Sequence, residues 1–492
     1  MGRPLLVGTR RDFLIGACAF LLPQSRRKSL PPAPPSVASP IRFREMAGQA
    51  GLDFVLQNNP TPRKHMIETM PGGVAAFDYN GDGLTDIFFT NGASIPSLEK
   101  DSPKFFNRLY RNDGGMKFTD VTSETGVAGT GYSLGVAAAD YDNDGYTDLF
   151  VAGVYRNTLY RNLGNGRFED VTKAAGIKSD KWSVAAGWFD YDNDGWLDLF
   201  VVNYAHWTPD FDRFCGDRDR HLRVYCHPKY FEGLSNTLYR NRRDGTFEDV
   251  TAKAGIGAHI GRGMSVAFAD YDNDGLMDVF VSNDNLPNFL FHNRGDGTFE
   301  AATRSGWSNG FFDFNNNGWK DLFTANSDVN DLIDLFQSTH YKQPNSLFVN
   351  LGNGTFEDVS AEAGFTLSRA HRGSAFADLN NDGKIDIAVS ALGEPAELWQ
   401  NVSPDVNHWL VLKLIGTRSN RDGIGAKIQL GNQFNHMTTA VGYASSSSAG
   451  VHFGCGQLDK IERIEIRWPS GVVQVLPTVR TNQVLEVHEP SK

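Results

Sequence analysis

Two kinds of short apolar run alternate along most of this chain. One kind is rich in small residues, as in GVAAA before Asp140 and SVAFA before Asp270. The other is β-branched and aromatic, as in DLFVAG from Asp148 and DVFVSN from Asp278. Neither carries the 3.6-residue period of an amphipathic helix, so both predict short strands. Further strands follow in a recurrent phrase: LYRNDGGMKFTDVT from Leu109, LYRNLGNGRFEDVT from Leu159, LYRNRRDGTFEDVT from Leu238, LFHNRGDGTFEAAT from Leu290 and LFVNLGNGTFEDVS from Leu347. Each is an apolar strand, a Gly/Asn turn and a strand opening at Phe, which is a hairpin pattern. One repeat is thus four short strands, and four-stranded units repeated every few tens of residues are the mark of a β-propeller.

Between the first two strands of each repeat lies an acidic loop, and it occurs six times: DYNGDGLTD, DYDNDGYTD, DYDNDGWLD, DYDNDGLMD, DFNNNGWKD and DLNNDGKID. Position 1 is Asp78, Asp140, Asp190, Asp270, Asp313 and Asp378, and position 3 is Asn80, Asp142, Asp192, Asp272, Asn315 and Asn380. Position 5 is Asp82, Asp144, Asp194, Asp274, Asn317 and Asp382, and position 9 is Asp86, Asp148, Asp198, Asp278, Asp321 and Asp386. Oxygen side chains at 1, 3, 5 and 9, with glycine at 6, suit calcium, which takes six to eight oxygens at roughly 2.3–2.6 Å. Backbone carbonyls at position 7 (Leu84, Tyr146, Trp196, Leu276, Trp319, Lys384) would complete each shell. This is no EF-hand, since strands rather than helices flank the loop and no bidentate Glu stands at position 12. For a single loop the bland reading is an Asx-rich turn without an ion. Carboxylate counts of three, four, four, four, two and three in chain order make the Asp313 loop the weakest.

The formal net charge is −11; residues 1–38 carry six Arg/Lys against one Asp, which leaves the rest at −16. Carboxylates held so close together would repel one another without bound cations, so calcium is expected to stabilise the fold. No basic stripe crosses the repeats, which argues against nucleic acid as a partner.

Loop-to-loop distances of 62, 50, 80, 43 and 65 residues show insertions, the longest between the third and fourth loops. After the sixth loop come a strand at Ile387–Ser390 and LWQN at Leu398–Asn401, but no FEDVT partner. RFREMAGQAGL from Arg42 resembles FEDVTKAAGI and would supply it, closing a circle of six blades. Seven is the alternative, because the insertions could hide a degenerate blade.

Three parts lie outside the repeats. In residues 1–38, Arg10 and Arg11 precede a mild apolar run ending at Leu22, and a Pro-rich neck follows. That pattern reads as a twin-arginine export signal cleaved after Ala38. The run is too short to span a bilayer. Cys18, within it, reads as a plain signal residue. The second part is the insertion 204–234, whose Cys215 and Cys226 most simply form a disulfide in an exported protein. A zinc site with His206 and His227 is the sharper alternative, unsupported by any CxxC spacing. Cys455 remains unpaired. The third part, 406–492, lacks acidic loops; HWLVLKLIG, AKIQL, RIEIRW, VVQVL and NQVLEVHE alternate as strands of a small β-sandwich.

The acidic loops with LYRN and GTFEDVT resemble FG-GAP/VCBS repeats. SNRDGIGAKIQL, GYASSSSAGVHFGCG and RWPSGVVQ resemble the ASPIC/UnbV domain. Together they resemble the cartilage acidic protein family in its bacterial, exported form, over nearly all of Arg42–Glu489. The resemblance implies a calcium-bearing propeller (residues 39–405) joined to a sandwich with a transthyretin-like fold. Cys455, where leucine is usual, and the poor fifth loop depart from the pattern.

Two functions are carried forward. The first is a periplasmic or secreted, calcium-stabilised binding or adhesion protein with a glycan or protein ligand. The second is an exported enzyme with its site at the propeller mouth or in the insertion. HExxH, GxSxG, Walker and CxxCH motifs are absent. His65, Glu68, His206, Asp210, His221 and His227 form no recognisable catalytic set. Trp182 and Trp188 sit at strand spacing and read as packing residues. Ser445–Gly450 reads as a flexible binding loop or a turn.

Overall fold

The small-residue runs become the innermost strands because only small side chains let neighbouring sheets approach so closely. Gly135 shows the limit: a Cβ there would stand 2.3 Å from the Val184 carbonyl oxygen of the next sheet. The computed structural model describes residues 40–491, except 212, 270–275, 285, 305–309, 329–330, 336–339, 354 and 448–449. The export segment and the acids Asp270, Asp272 and Asp274 of the fourth loop therefore lie outside the described residues.

The fold is almost wholly β. Among the described residues up to 405, six four-stranded antiparallel sheets follow one another along the chain. The second is typical: Ser133–Ala139 pairs with Asp148–Gly153, then Thr158–Asn162, then Phe168–Asp170. The first two of these strands are buried along their whole length, as a strand packed on both faces must be. In the sixth sheet the outer strand comes from the chain's start, where Phe43–Glu45 pairs with Glu397–Asn401 through Phe43 opposite Asn401. The innermost strand of the first sheet, Val74–Phe77, lies beside those of the second sheet, Ser133–Ala139, and the sixth, His371–Ala377. Phe312 of the fifth sheet stacks on Phe376 of the sixth at 4.6 Å.

The C-terminal part holds two more sheets. His408–Ile415 is flanked by Val451–Gly456, antiparallel, and Gln483–His488, parallel. The order of the other sheet is Gln433–His436, Lys427–Leu430, Lys460–Arg467, Val473–Arg480. Leu410, Leu412 and Leu414 of the first share one core with Ile428, Ile464 and Ile466 of the second, and this core runs on into Ala137, Tyr141 and Trp188 of the repeats.

The segment Thr439–Ser447, whose serines read from sequence as a flexible loop or turn, is a buried plug. Innermost strands have a free edge whose N–H and C=O groups need partners. Ser446 donates its N–H to Val74 O at 2.8 Å and accepts from Ala76 N at 2.9 Å. Ala444 O accepts from Val136 N at 3.0 Å. The hydroxyls of Ser445, Ser446 and Ser447 accept from the N–H groups of Val74, Ala138 and Phe376. Ser445, Ser446 and Ser447 are all buried. Short hydroxyl side chains suit this place because they fit between close strands and bond to the edges.

Candidate metal centres

Each acidic loop is folded by its own carboxylates. The position-1 aspartate accepts from the glycine N–H at position 6: Asp140 from Gly145 at 2.8 Å, Asp190 from Gly195 at 2.8 Å, Asp313 from Gly318 at 2.7 Å. That glycine has φ between 82° and 94° in the five described loops, which explains its presence at position 6 in all of them. Position 4 is also left-handed, at Asn143, Asn193, Asn316 and Asn381, and this accounts for Asn there. The position-5 side chain accepts from the N–H of position 7, as Asp144 does from Tyr146 and Asp194 from Trp196.

The position-9 aspartate joins the loop to the third strand. Asp148 accepts from Tyr141 N at 3.1 Å and from Asn162 N at 2.8 Å, and Asp198 accepts from Tyr191 N and Asn241 N. Asp86, Asp321 and Asp386 repeat the arrangement.

The loops differ at position 3. In the first and sixth loops an asparagine stands there, and its amide donates to the position-5 carboxylate: Asn80 to Asp82 at 2.8 Å, Asn380 to Asp382 at 3.1 Å. In the second and third an aspartate stands there, and an arginine of the LYRN strand partly neutralises it: Arg161 to Asp142 at 2.8 Å, Arg240 to Asp192 at 2.7 Å. Even so, the Oδ1 atoms of Asp142 and Asp192 are buried with no hydrogen-bond partner. One oxygen each from Asp140, Asp142 and Asp148 lie within 4.8 Å of one another, as do those of Asp190, Asp192 and Asp194. Burial pushes Asp140 up to about 8, with the nearby charge of Asp422 adding to it, and burial pushes Asp190 up to about 7. Asp148 and Asp198 are driven well above the carboxylate range by the same cause. Buried, crowded carboxylates with unused oxygens are a donor set that fits a hard divalent cation. A cleft of about 370 Å³ lined by Tyr141, Asp142, Arg161 and Trp196 runs beside the second loop.

The fifth loop is the odd one. Asp313, Asn315 and Asn316 are buried, because the sandwich lies on them: Asn407 donates to Asn315 O at 3.0 Å and Gly456 N to Asn316 O at 2.9 Å. Uncharged Asn at 315 and 317 suits a loop enclosed by protein.

Two features escaped sequence reading. Asp422 of the sandwich accepts from Asp140 N at 3.0 Å and brings a further acid to the second loop. Among the described residues, the asparagines at this place in the phrase tie five of the six sheets to another repeat's loop. Asn162 donates to Tyr79 O, Asn241 to Tyr141 O, Asn293 to Tyr191 O, Asn401 to Phe314 O and Asn112 to Leu379 O, all at position 2 of a loop. Their recurrence at one place in every phrase was the available signal.

The other candidates are placed as follows. Cys215 and Cys226 form a disulfide with Cα atoms 5.3 Å apart, and Cys455 is buried and free. The Glu68 carboxylate accepts from Thr61 Oγ1, His65 N and Tyr225 OH, fastening the insertion to the segment before the first sheet. His65 packs edge-on against Trp207. His206, Asp210, His221 and His227 are exposed on the insertion. Trp182 and Trp188 are fully buried. Among the described residues no helix is long and apolar enough to cross a membrane.

The FG-GAP-like repeat model matches residues 78–151, 140–201, 217–281, 273–324 and 313–389, and the ASPIC and UnbV model matches 416–492. Cartilage acidic protein 1 of Xenopus tropicalis is 23% identical over 439 residues, which cover 85% of this chain and 64% of that protein. The Homo sapiens protein of the same name is 25% identical over 278 residues, covering 53% and 41%. The chain thus spans less than two thirds of the length of these relatives. Among solved structures, an Agrocybe aegerita lectin described as recognising non-reducing terminal N-acetylglucosamine covers 68% of this chain and 81% of its own, at 18% identity and a TM-score of 0.32. The V. cholerae biofilm matrix protein Bap1 covers 84% and 61%, at 12% identity and a TM-score of 0.27.

Proposed function

The chain belongs to the family of cartilage acidic protein 1, which joins FG-GAP-like repeats to an ASPIC and UnbV domain, and on that premise we propose that it is an exported, calcium-stabilised binding protein. The six four-stranded sheets are the blades of a six-bladed propeller spanning residues 39–405, with 204–234 as an insertion and 406–492 as the sandwich. Support for a closed ring comes from the first innermost strand, which adjoins both the second and the sixth.

The observation that carries the reading is the pair of carboxylate clusters in which the Oδ1 atoms of Asp142 and Asp192 lack hydrogen-bond partners. Calcium bound there would supply the positive charge these acids lack. The chain's own part is geometric. Positions 1, 3, 5 and 9 gather oxygens from two strands of one sheet, so holding them together clips that hairpin. The fourth loop, with the same DYDNDG sequence, is assigned to the same role, and Leu276 and Asp278 are its described members.

The ligand is a glycan or protein met at the surface. Support for a surface ligand comes from Thr439–Ser447, which bonds to the innermost strands at Val74, Ala76, Val136 and Ala138 and would fill the axis of such a ring. Export is assigned to the twin-arginine route through Arg10 and Arg11. A glycan and protein array probed in calcium and again in chelator tests the function. Calcium-dependent capture by a defined ligand is expected; turnover of a hydrolase substrate with no capture would replace this reading with the enzymatic one. Replacing Arg10 and Arg11 by Lys should leave the protein folded in the cytoplasm.

A further inference from the structure

The tip of the insertion reverses the chain's acidic balance. Between residues 213 and 230 five Arg/Lys stand against two Asp, in a chain of net charge −11. The disulfide Cys215–Cys226 closes the base, Gly216–Asp217 pairs with Leu222–Arg223 above it, and residues 218–221 form the turn. Asp217 fixes that turn by accepting from Asp219 N and Arg220 N at 3.0 and 3.1 Å. Arg213, Arg218, Arg220, Lys229 and Tyr230 are exposed.

These cations are held by aromatic rings more than by acids. Arg213 lies 3.8 Å over the Tyr230 ring, and Arg218 lies 4.7 Å over Phe214. Among the described residues neither Arg213 nor Arg218 has a carboxylate partner, and Arg220 meets Asp217 only at 3.5 Å. A guanidinium stacked on a ring keeps its planar donor fork free at the edge, and that fork matches a carboxylate or sulfate in bidentate fashion. Little side-chain entropy remains to be lost on binding, because loop and rings already hold the geometry.

The tip is also on open ground. The acidic loops end one side of the sheets, and the sandwich covers that side through Asp422, Arg421 and Asn407. The insertion leaves the third sheet at the opposite end, between Asp198–Asn203 and Thr237–Asn241.

We propose that this arginine and tyrosine tip docks an acidic polysaccharide, with Arg213, Arg218, Arg220 and Lys229 meeting its carboxylate or sulfate groups and the Tyr230 ring holding Arg213 and Lys229 in place. The proposal rests on the reading of the chain as a binding protein and names its surface and ligand class. A sugar chain with spaced charges suits a small cationic tip on an acidic body. Duplex nucleic acid, with one charge per about 1.7 Å, would meet repulsion from the rest of the surface.

The test uses the full chain in calcium on immobilised heparin, polygalacturonate and neutral dextran, with single-stranded oligodeoxythymidylate as competitor. Binding to heparin, polygalacturonate or both is expected, none to dextran, and the two charged arms separate sulfate from carboxylate recognition. The R213A/R218A/R220A/K229A variant should bind at least tenfold more weakly at an unchanged melting temperature, whereas R463A on the sandwich should bind as the parent does. Tyr230→Ala should weaken binding severalfold without a change of charge. Undiminished binding by the quadruple variant overturns the site. Preference for the oligonucleotide overturns the sugar assignment. Failure to bind either charged polysaccharide, with capture of a neutral ligand on the array, overturns the polyanion class and leaves the binding-protein reading standing.

Discussion

Asn112, in the first sheet, donates its side-chain N–H to the carbonyl of Leu379, 267 residues later in the last sheet, at 2.8 Å. Its second amide hydrogen goes to Thr85 O at 2.9 Å, and its Oδ1 accepts from Gly114 N. Asn162, Asn241, Asn293 and Asn401 make the matching bonds between other pairs of sheets. One residue type at one place in the repeat thus ties five of the six sheets to the loop of another, and Asn112 bonds the first sheet to the sixth.

Replacing any of these asparagines by Ala leaves buried carbonyls without donors, at an expected cost of about 1–3 kcal/mol. In a closed ring Asn112→Ala should cost about as much as Asn162→Ala in urea unfolding. An Asn112 variant that unfolds like the parent, beside a damaged Asn162 variant, would mean that the tie to Leu379 does no structural work.

The N-terminal strand completes the sixth sheet through Phe43, Arg44 and Glu45, and Phe43 also packs on Phe314 and Phe365. Deleting 41–53 uncovers the edge of Glu397–Asn401 and part of that core. Aggregation or a clearly lower melting temperature is expected, read by size-exclusion chromatography and calorimetry. A monodisperse deletion variant that melts like the parent would contradict the closing role of this strand.

Local patterns were legible in the sequence, and contacts between distant residues were not. The hairpins and acidic loops could be read because each is made by residues a few positions apart. The partner for the sixth repeat could be read because Arg42–Leu52 keeps the phrase of an outer strand. Asn in LYRN looked like an ordinary turn residue, since its tie runs to a different repeat. Asp422 gave no sign that it would lie against Asp140, and Ser445, Ser446 and Ser447 look like solvent until an unpaired strand edge is placed beside them. The arginine of LYRN likewise shows its use only where position 3 is an acid. Arg161 meets Asp142, whereas Arg111, facing a loop with Asn80, turns to Asp113.

The sandwich gives a pH prediction. Burial holds the His436 imidazole down at about 4, and Lys320 adds to the effect. Its ring Nε2 has no hydrogen-bond partner. The folded value is below the unfolded one near 6.5, so this contribution is complete above about pH 6.5 and is lost as pH falls towards 4, by up to about 3 kcal/mol. The aspartates with raised values titrate in the opposite sense, so the histidine is isolated by comparison with His436→Gln. The variant should lose less stability than the parent between pH 7 and 4.5; parallel pH profiles would contradict the assignment.

The most direct measurement is thermal unfolding of the full chain in excess calcium and in chelator, for the parent, Asp142→Asn/Asp192→Asn and Asn315→Ala. Calcium at a hundredfold over its dissociation constant adds about 2.7 kcal/mol per site to the folded state. The parent should therefore melt several degrees higher in calcium, the double variant should lose most of that gain, and Asn315→Ala should keep it. Superimposable parent curves in calcium and chelator would contradict the assignment of the Asp140 and Asp190 loops as calcium sites.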